Sequence, residues 1–348
     1  MLAVTPYGPL AGSARVRVYA WLARQGEPVQ VHDYLGAGSA GIGTLARRPG
    51  SVVRAELRLR HLARHLARRG ADRLLLHREA SPLSRGGIER RLLTGAAFSV
   101  YDFDDALQWD TGGSLPRRAF SKPAKCAAAV THADRVIAGN DVLADWAGTR
   151  ARDVVVIPSC VEPAEYVRKS SYQLHDPPRI VWMGSPSTER YLQLVSRPLL
   201  TLHRAFGARL TVVSGGNAPL GPLAQMSDRV PWHPDSCGAL MADADVGIGP
   251  LDDTRYARGK CAYKLLQYGA SGLPLVASPV GANAAALRLL GGTPAGDPDS
   301  WYDALAQVLQ STAAARACAG RAARLGVEEH YSFRAWDGAW RAAVGLTG

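Results

Sequence analysis

The sequence predicts an α/β protein built as two Rossmann-like halves, each a parallel sheet covered by helices on both faces. Short apolar runs alternate with amphipathic stretches of helical length, which is the pattern of successive βαβ units. The alternation breaks once, in the weakly periodic, proline-bearing stretch at 160–178, which divides the chain near its middle. A chain of 348 residues is also too long for one small core and suits two domains that each bury most of their apolar surface.

Taken in order, residues 1–8 read as a first strand and 13–26 as a helix ended by Gly26. A strand at 29–36 follows, then a long helix at 52–70 stopped by Gly70, and a third strand at 72–79. Residues 88–95 are helical, 97–105 a fourth strand, 122–133 helical, 134–140 a strand, 141–151 helical and 153–159 a strand. After the break, a strand at 179–187 leads into a helix at 189–207, and 208–216 and 230–234 extend the pattern. A helix at 236–243, a strand at 244–251, a helix from 262 to 270 closed by Gly272, a strand at 273–281 and a final helical region complete it. The expected domains are 1–160 and 179–330, joined by a linker at 161–178. Ligands of open α/β sheets bind beyond the carboxyl ends of the strands. The glycine- and serine-rich loops at 7–13 and 183–188 are therefore expected to face one cleft.

Composition narrows the function classes. The chain is 47% hydrophobic and 20% charged, a globular balance, and no apolar run approaches the roughly 20 residues that span a bilayer. With no basic and apolar leader at residues 1–10, the expected location is the cytoplasm. Cys126, Cys160, Cys237, Cys261 and Cys318 are odd in number and widely spaced, with no Cys-x-x-Cys, which argues against a structural zinc site and a disulfide framework. Net charge is +11, from 41 basic and 30 acidic residues, and could attract any polyanion. No Cys/His finger or aromatic-studded basic strand accompanies it, so nucleic acid is not an expected partner. The basic residues are mostly arginine, a bias that points to a GC-rich bacterial genome.

The strongest local signal lies at 247–283. A strand opens into a polar loop carrying Asp252, Asp253, Arg255, Arg258 and Lys260, and a helix follows in which Lys264 and Gln267 share a face. Free N–H groups at a helix start, with cations beside them, suit a pyrophosphate. The segment "QYGASGLPLVAS" resembles the nucleotide-sugar signature of retaining GT-B glycosyltransferases of the family-4 type, in which two glutamates stand eight residues apart. Gln267 stands at the second glutamate, the ribose-binding position of that family, and Gly259 at the first. The run "RGK…KLLQY" matches a branch of these enzymes.

The resemblance continues at 179–192, where Gly184 and Ser185 would admit the donor diphosphate, with Arg190, Arg258 and Lys260 as the available cations. Residues 7–26 are similar to the acceptor-side loop and first helix, with Gly12 and Ser13 opening the helix, and 331–348 resemble a helix that returns to the first domain. The resemblance implies a GT-B fold, a nucleotide-diphosphate sugar as donor, a small-molecule or glycan acceptor on the first domain, and retention of configuration. It implies no essential metal and no further cofactor. Lys260, the arginines and helix N–H groups would stabilise the leaving diphosphate, whose β-phosphate can take the acceptor proton. Natural-product tailoring and cell-envelope glycan synthesis both fit.

Residues 99–110 gather Asp102, Asp104, Asp105 and Asp110 at the end of the fourth strand. Asp102-Phe103-Asp104 could hold Mn²⁺ on a nucleotide, as in a metal-dependent GT-A-like transferase, could cap a helix, or could orient a substrate hydroxyl. On the resemblance, Asp102, Asp104 and Lys260 are the candidate catalytic residues, and Asp110 is read as a cap. Arg78, Glu79 and Asp105 join the acceptor side because they also follow strands, and Arg78 or another arginine is the expected ion partner of these acids. The helix at 52–70 carries arginines at 54, 58, 60, 64, 68 and 69, read either as a solvated face or as peripheral contact with an anionic membrane. The lack of a glutamate at Gly259 leaves a non-catalytic nucleotide-sugar-binding protein as an alternative.

Overall fold

The computed structural model describes residues 1–26, 28–34, 36, 49–112 and 118–346. The end of the expected second strand at residue 35 lies outside them. The chain forms two compact units, one of Met1–Ser159, Arg258–Cys261 and Trp336–Gly348, the other of Cys160–Ala257 and Ala262–Ala335.

The first unit holds β1 (Leu2–Thr5), β2 (Gln30–Asp33), β3 (Arg73–His77), β4 (Phe98–Phe103), β5 (Arg135–Ala138) and β6 (Val154–Val156). They form one six-stranded sheet in the order β2-β1-β3-β4-β5-β6, with every pair parallel. Central strands read as unbroken apolar runs because both their faces are covered. Leu74–Leu76 and Val136–Ala138 are accordingly buried. Helix α1 is composite: Gly12–Ala14, a π-helical turn Arg15–Tyr19, and Ala20–Leu22. Helix α2 (Pro49–Arg69) buries Ala55, Leu59, Ala63 and Leu66, one stripe at helical spacing, and turns Arg54, Arg58, Arg60, Arg64 and Arg68 outward. Leu57 lies off that stripe and is exposed. Helices α3 (Gly87–Leu93), α4 (Lys122–His132) and α5 (Asp141–Gly148) follow, the last two capped by Ser121 and Asn140.

The second unit holds β7 (Arg179–Met183), β8 (Arg209–Val213), β9 (Ser227–Val230), β10 (Val246–Gly249), β11 (Leu275–Ala277) and β12 (Thr293–Pro294). Their order, β12-β11-β10-β7-β8-β9, is that of the Rossmann dinucleotide fold. Helices α6 (Ser196–Phe206), α7 (Pro234–Asp243), α8 (Arg255–Arg258), α9 (Tyr263–Ala270), α10 (Ala282–Leu290), α11 (Pro298–Gln310) and α12 (Ala313–His330) complete the pattern. One core packs Leu265, Leu266, Leu287 and Val327, and another packs Leu199, Leu202, Trp301 and Leu305.

Four local differences from the sequence reading have physical causes. The helix expected at 189–207 is a 3₁₀ helix over Pro186–Val195 that passes into α6 only at Ser196, because Pro198 fits within a first helical turn and not in an interior. Strand β9 is an edge strand of mostly polar residues, so it lacks an apolar run and lies three residues before the stretch expected. Strand β12 has two residues, too few for a periodic signal. The stretch expected as a linker is packed into the second unit: buried Lys169 donates to the carbonyls of Ala242 and Ala244, and the Tyr172 hydroxyl to that of Gly272.

The final helix, α13 (Phe333–Ala343), carries Trp340. In the first unit its ring stacks on Trp21 with centroids 5.0 Å apart and planes 3° from parallel, both rings being buried. Trp340→Ala is expected to cost about 3–5 kcal/mol, as large core truncations do. Urea unfolding followed by Trp fluorescence checks this; an unchanged midpoint would show that the stack adds no stability.

Candidate functional site

In the first sheet, β1 has β2 on one side and β3 on the other, so the chain changes direction of progress there. Such a switch point leaves room for a ligand beyond the strand ends. Helix α1 starts next to it, β3 ends at His77, and β4 delivers Asp102 and Asp104.

Asp102 lies at the bottom of this cluster. Arg17, on the π-helical turn of α1, donates from Nε and Nη2 to the two Asp102 oxygens at 3.1 and 2.6 Å, and from Nη1 to the Ile157 carbonyl at 2.8 Å. His77 Nδ1 is 2.9 Å from Asp102 Oδ1, and His77 Nε2 is 2.8 Å from the Ser13 hydroxyl. Arg17, His77 and Asp102 are all buried, so Asp102 has no face for substrate and supports the site from beneath. That corrects its placement among groups that touch a substrate. Burial by itself would raise its carboxyl, but Arg17 and His77 outweigh burial and hold it below the usual range.

Asp104 forms the next layer. Its carboxylate lies 2.8 Å from Ser13 Oγ and accepts from Arg78 Nε at 2.7 Å. Here too burial is outweighed, by Arg78, His77 and Arg17, and the carboxyl is held well below its ordinary value. Arg78 Nη2 lies 3.7 Å from Asp105, whose other oxygen is 3.5 Å from Lys260 Nζ. Arg78 sits at φ +58°, unusual for a residue with a side chain. Its backbone is pinned on both sides: its N–H donates to the Asp102 carbonyl and its carbonyl accepts from the Tyr101 hydroxyl. Strain of this kind collects at functional sites.

The segment Arg258–Cys261 is part of this unit, and not of the helix start where the sequence reading placed Lys260 beside Lys264. Asn140 donates to the Lys260 carbonyl, and the Cys261 thiol to that of Asp104 at 3.3 Å. Burial, with Asp104 next, pushes that thiol up to about 12, so it stays a neutral donor. A Cβ on Gly259 would lie 2.6 Å from Ala106 Cβ and 3.1 Å from Leu143 Cδ2. A side chain at this position would require its neighbours to shift.

The second unit gathers several of the expected phosphate-binding groups at its own switch point, between β7 and β10. Gly184 ends β7 on top of the Trp182 ring, where a Cβ would meet ring atoms at 2.5 Å. Lys264 Nζ lies over the same ring, 5.4 Å from its centroid. Ser185 is exposed beside Ser187 and Thr188. Arg190 packs over Tyr191 and feels the field of Asp252. Gln267, one turn beyond Lys264, is 8% exposed. Ala262, which precedes α9, has φ +53°.

Other expected groups have different duties. Glu79 is buried against Lys125 at 2.7 Å, so it does not face an acceptor. Asp110 pairs with Lys122 at 2.6 Å. Gly12 is exposed at the start of α1, with open space where a Cβ would stand. Among the described residues, no group of three or more His, Cys, Asp or Glu side chains is arranged to hold a metal ion. Arg17 engages both oxygens of Asp102, and Arg78 and Ser13 engage Asp104.

Arg17, His77, Asn140 and Cys261 are the members that sequence reasoning missed. The available signal was Arg17 itself, an arginine between Val16 and Val18 on a helix leaving a strand.

No protein-family model matches the chain, and no curated protein sequence does. Solved structures do. The Anabaena protein HepE, in complex with UDP-glucose, superposes with a TM-score of 0.72 at 12% identity, over 99% of each chain. WaaG, a glycosyltransferase involved in lipopolysaccharide biosynthesis, gives 0.66 at 16% identity over both full chains. TarM gives 0.60 at 12% identity over 82% of this chain, which spans 58% of the TarM length. The chain has the two-domain α/β fold of the GT-B glycosyltransferases.

Depressed carboxyls make the first unit acid-sensitive. Their folded values lie below the unfolded value of about 4, so their contribution is complete above that pH and is lost as pH falls toward the folded values. Stability is expected to drop below about pH 4, and Asp104→Asn should flatten part of that fall in pH-dependent melting. A variant that melts with the same acid dependence as the wild type would contradict the assignment.

Proposed function

We propose that the protein transfers a sugar from a nucleotide-diphosphate donor to an acceptor hydroxyl or amine, with retention of configuration and without a metal. The observation that carries this reading is the Gly184–Trp182–Lys264 arrangement. Gly184 leaves the turn without a side chain, and the Lys264 ammonium stands over the Trp182 ring beside it. An open turn beside a lysine ammonium suits a diphosphate. Ser185, Arg190 and Gln267 complete the donor side, with Arg258 and Lys260 stabilising the charge that gathers on the leaving group. Gly12, Ser13, Arg78, Asp104 and Asp105 form the acceptor side, with Asp104 holding a hydroxyl. Glu79 and Asp102 support them. The bound UDP-glucose of HepE makes UDP-hexoses the first donors to test. The setting is bacterial natural-product or cell-envelope glycan synthesis in the cytoplasm. No helix among the described residues is long and apolar enough to cross a membrane. The arginine face of α2 is the surface that would meet an anionic bilayer. A non-catalytic nucleotide-sugar-binding protein is the second reading, favoured by the packing around Gly259, where a glutamate would require its neighbours to shift.

Calorimetric titration with UDP, GDP, dTDP and ADP in excess EDTA is expected to find one diphosphate that binds. Lys264→Ala should weaken it about 10–100-fold, the loss of one charge-assisted contact of roughly 1.5–3 kcal/mol. Binding that requires Mn²⁺, or that is indifferent to Lys264, would contradict the donor site.

A further inference from the structure

We propose that Ser13, His77 and Asp102 form a relay that draws the proton from the acceptor hydroxyl, an inference that rests on the transferase reading above. The contacts run in one line: Asp102 Oδ1 to His77 Nδ1 at 2.9 Å, and His77 Nε2 to Ser13 Oγ at 2.8 Å. A carboxylate engaged by two guanidinium donors has no proton to give, so Nδ1–H donates to Asp102. Nε2 is then the ring's accepting atom, and it faces the hydroxyl. Arg17 fixes the Asp102 carboxylate on both oxygens, which fixes the ring. Of the three, only Ser13 is not buried, so substrate can reach the relay at that hydroxyl alone.

Ser13 has one proton and two places to send it, because Asp104 also lies at 2.8 Å. Asp104 is the weaker base: Arg78 holds its carboxyl far below the usual range. It is suited to orienting a second hydroxyl of the acceptor, while the imidazole takes the proton. The groups facing the ring are Asp102 and Asp104 on the β4 side and Arg17 on α1, with Arg78 the next residue after β3. Asp105 and the neutral Cys261 thiol lie further along the same cluster. The relay opens at the β1/β3 switch point, beyond the strand ends, where this class of sheet binds ligands.

In the transfer step, the acceptor oxygen bonds to the anomeric carbon. The bond from that carbon to the diphosphate oxygen breaks, and its electron pair leaves with the diphosphate. The acceptor proton passes to Ser13 Oγ as the serine proton passes to Nε2, and Asp102 balances the imidazolium that results. After release the proton returns to solvent by the reverse path. Ser13 is the catalytic residue here, and His77 and Asp102 position and charge-balance it.

The test measures nucleotide release from UDP-, GDP-, dTDP- and ADP-glucose with glycerol as a hydroxyl acceptor and with azide, an anion that has no proton to lose. Ser13→Ala and His77→Asn are compared with the wild type, and donor affinity is measured separately. Asn keeps a donor toward Asp102, and Ser13→Ala, at a part-exposed position, provides a second folded variant. Both are expected to bind donor as the wild type does and to lose about 10²–10⁴-fold in kcat with glycerol, the usual contribution of a positioned base. Both should retain turnover with azide. Wild-type kcat with glycerol in either variant would overturn the relay, as would an equal loss with glycerol and azide, which marks a purely structural role. A wild-type protein that turns over no donor overturns the transferase reading itself, and the relay with it.

Discussion

The pairing of Arg17 with Asp102 is the constraint on which the rest of the first unit's site depends. Two charges with almost no exposure are tolerable only if every donor and lone pair is engaged. Arg17 meets that condition with two bonds to Asp102 and one to the Ile157 carbonyl, and Asp102 adds His77. These contacts fasten α1, the ends of β3 and β4, and the chain just after β6 to one another. Removing either partner leaves an uncompensated buried charge, a loss of about 3–5 kcal/mol in comparable pairs. Once the pair is set, the imidazole can adopt one orientation, Ser13 is met by it, and Asp104 and Arg78 occupy the layer nearer solvent.

This arrangement changes what the acidic stretch at 99–110 means. As a bare Asp-x-Asp it could have held a metal. In the fold its two aspartates, two residues apart and so directed to the same side, still differ sharply, Asp102 being sealed against Arg17 and Asp104 turned toward Ser13 and Arg78. Gly259 shows the same lesson in reverse. What reads in sequence as a missing glutamate is a position where a side chain would require Ala106 and Leu143 to shift. Arg78 in the first unit and Ala262 in the second both have positive φ, +58° and +53°.

Much of the fold was legible in the sequence, because buried parallel strands must be apolar and the helices between them must be amphipathic. Leu74–Leu76 and Val136–Ala138 declare themselves in this way. The short or polar edge strands β9 and β12 do not, since an edge needs no apolar run. Of the groups proposed for the donor, those set by local rules were legible: Gly184 because a Cβ there would meet the Trp182 ring, Lys264 and Gln267 because helical spacing puts them together. The relay was not. Ser13, Arg17, His77 and Asp102 come from three separate elements, and nothing in the spacing from 13 to 102 indicates that they meet. The grouping of Arg258–Cys261 with the first unit was hidden for the same reason, since it depends on Asn140 and Asp104 more than a hundred residues away.

Catalytic turnover of a nucleotide sugar tests the central claim most directly. Phosphorus NMR of the purified protein with UDP-, GDP-, dTDP- and ADP-glucose, in excess EDTA, reads the release of free nucleoside diphosphate. The account requires that at least one donor be consumed without added metal. A protein that binds a nucleotide sugar yet leaves all four donors intact, or that releases diphosphate only after Mn²⁺ is supplied, would contradict it.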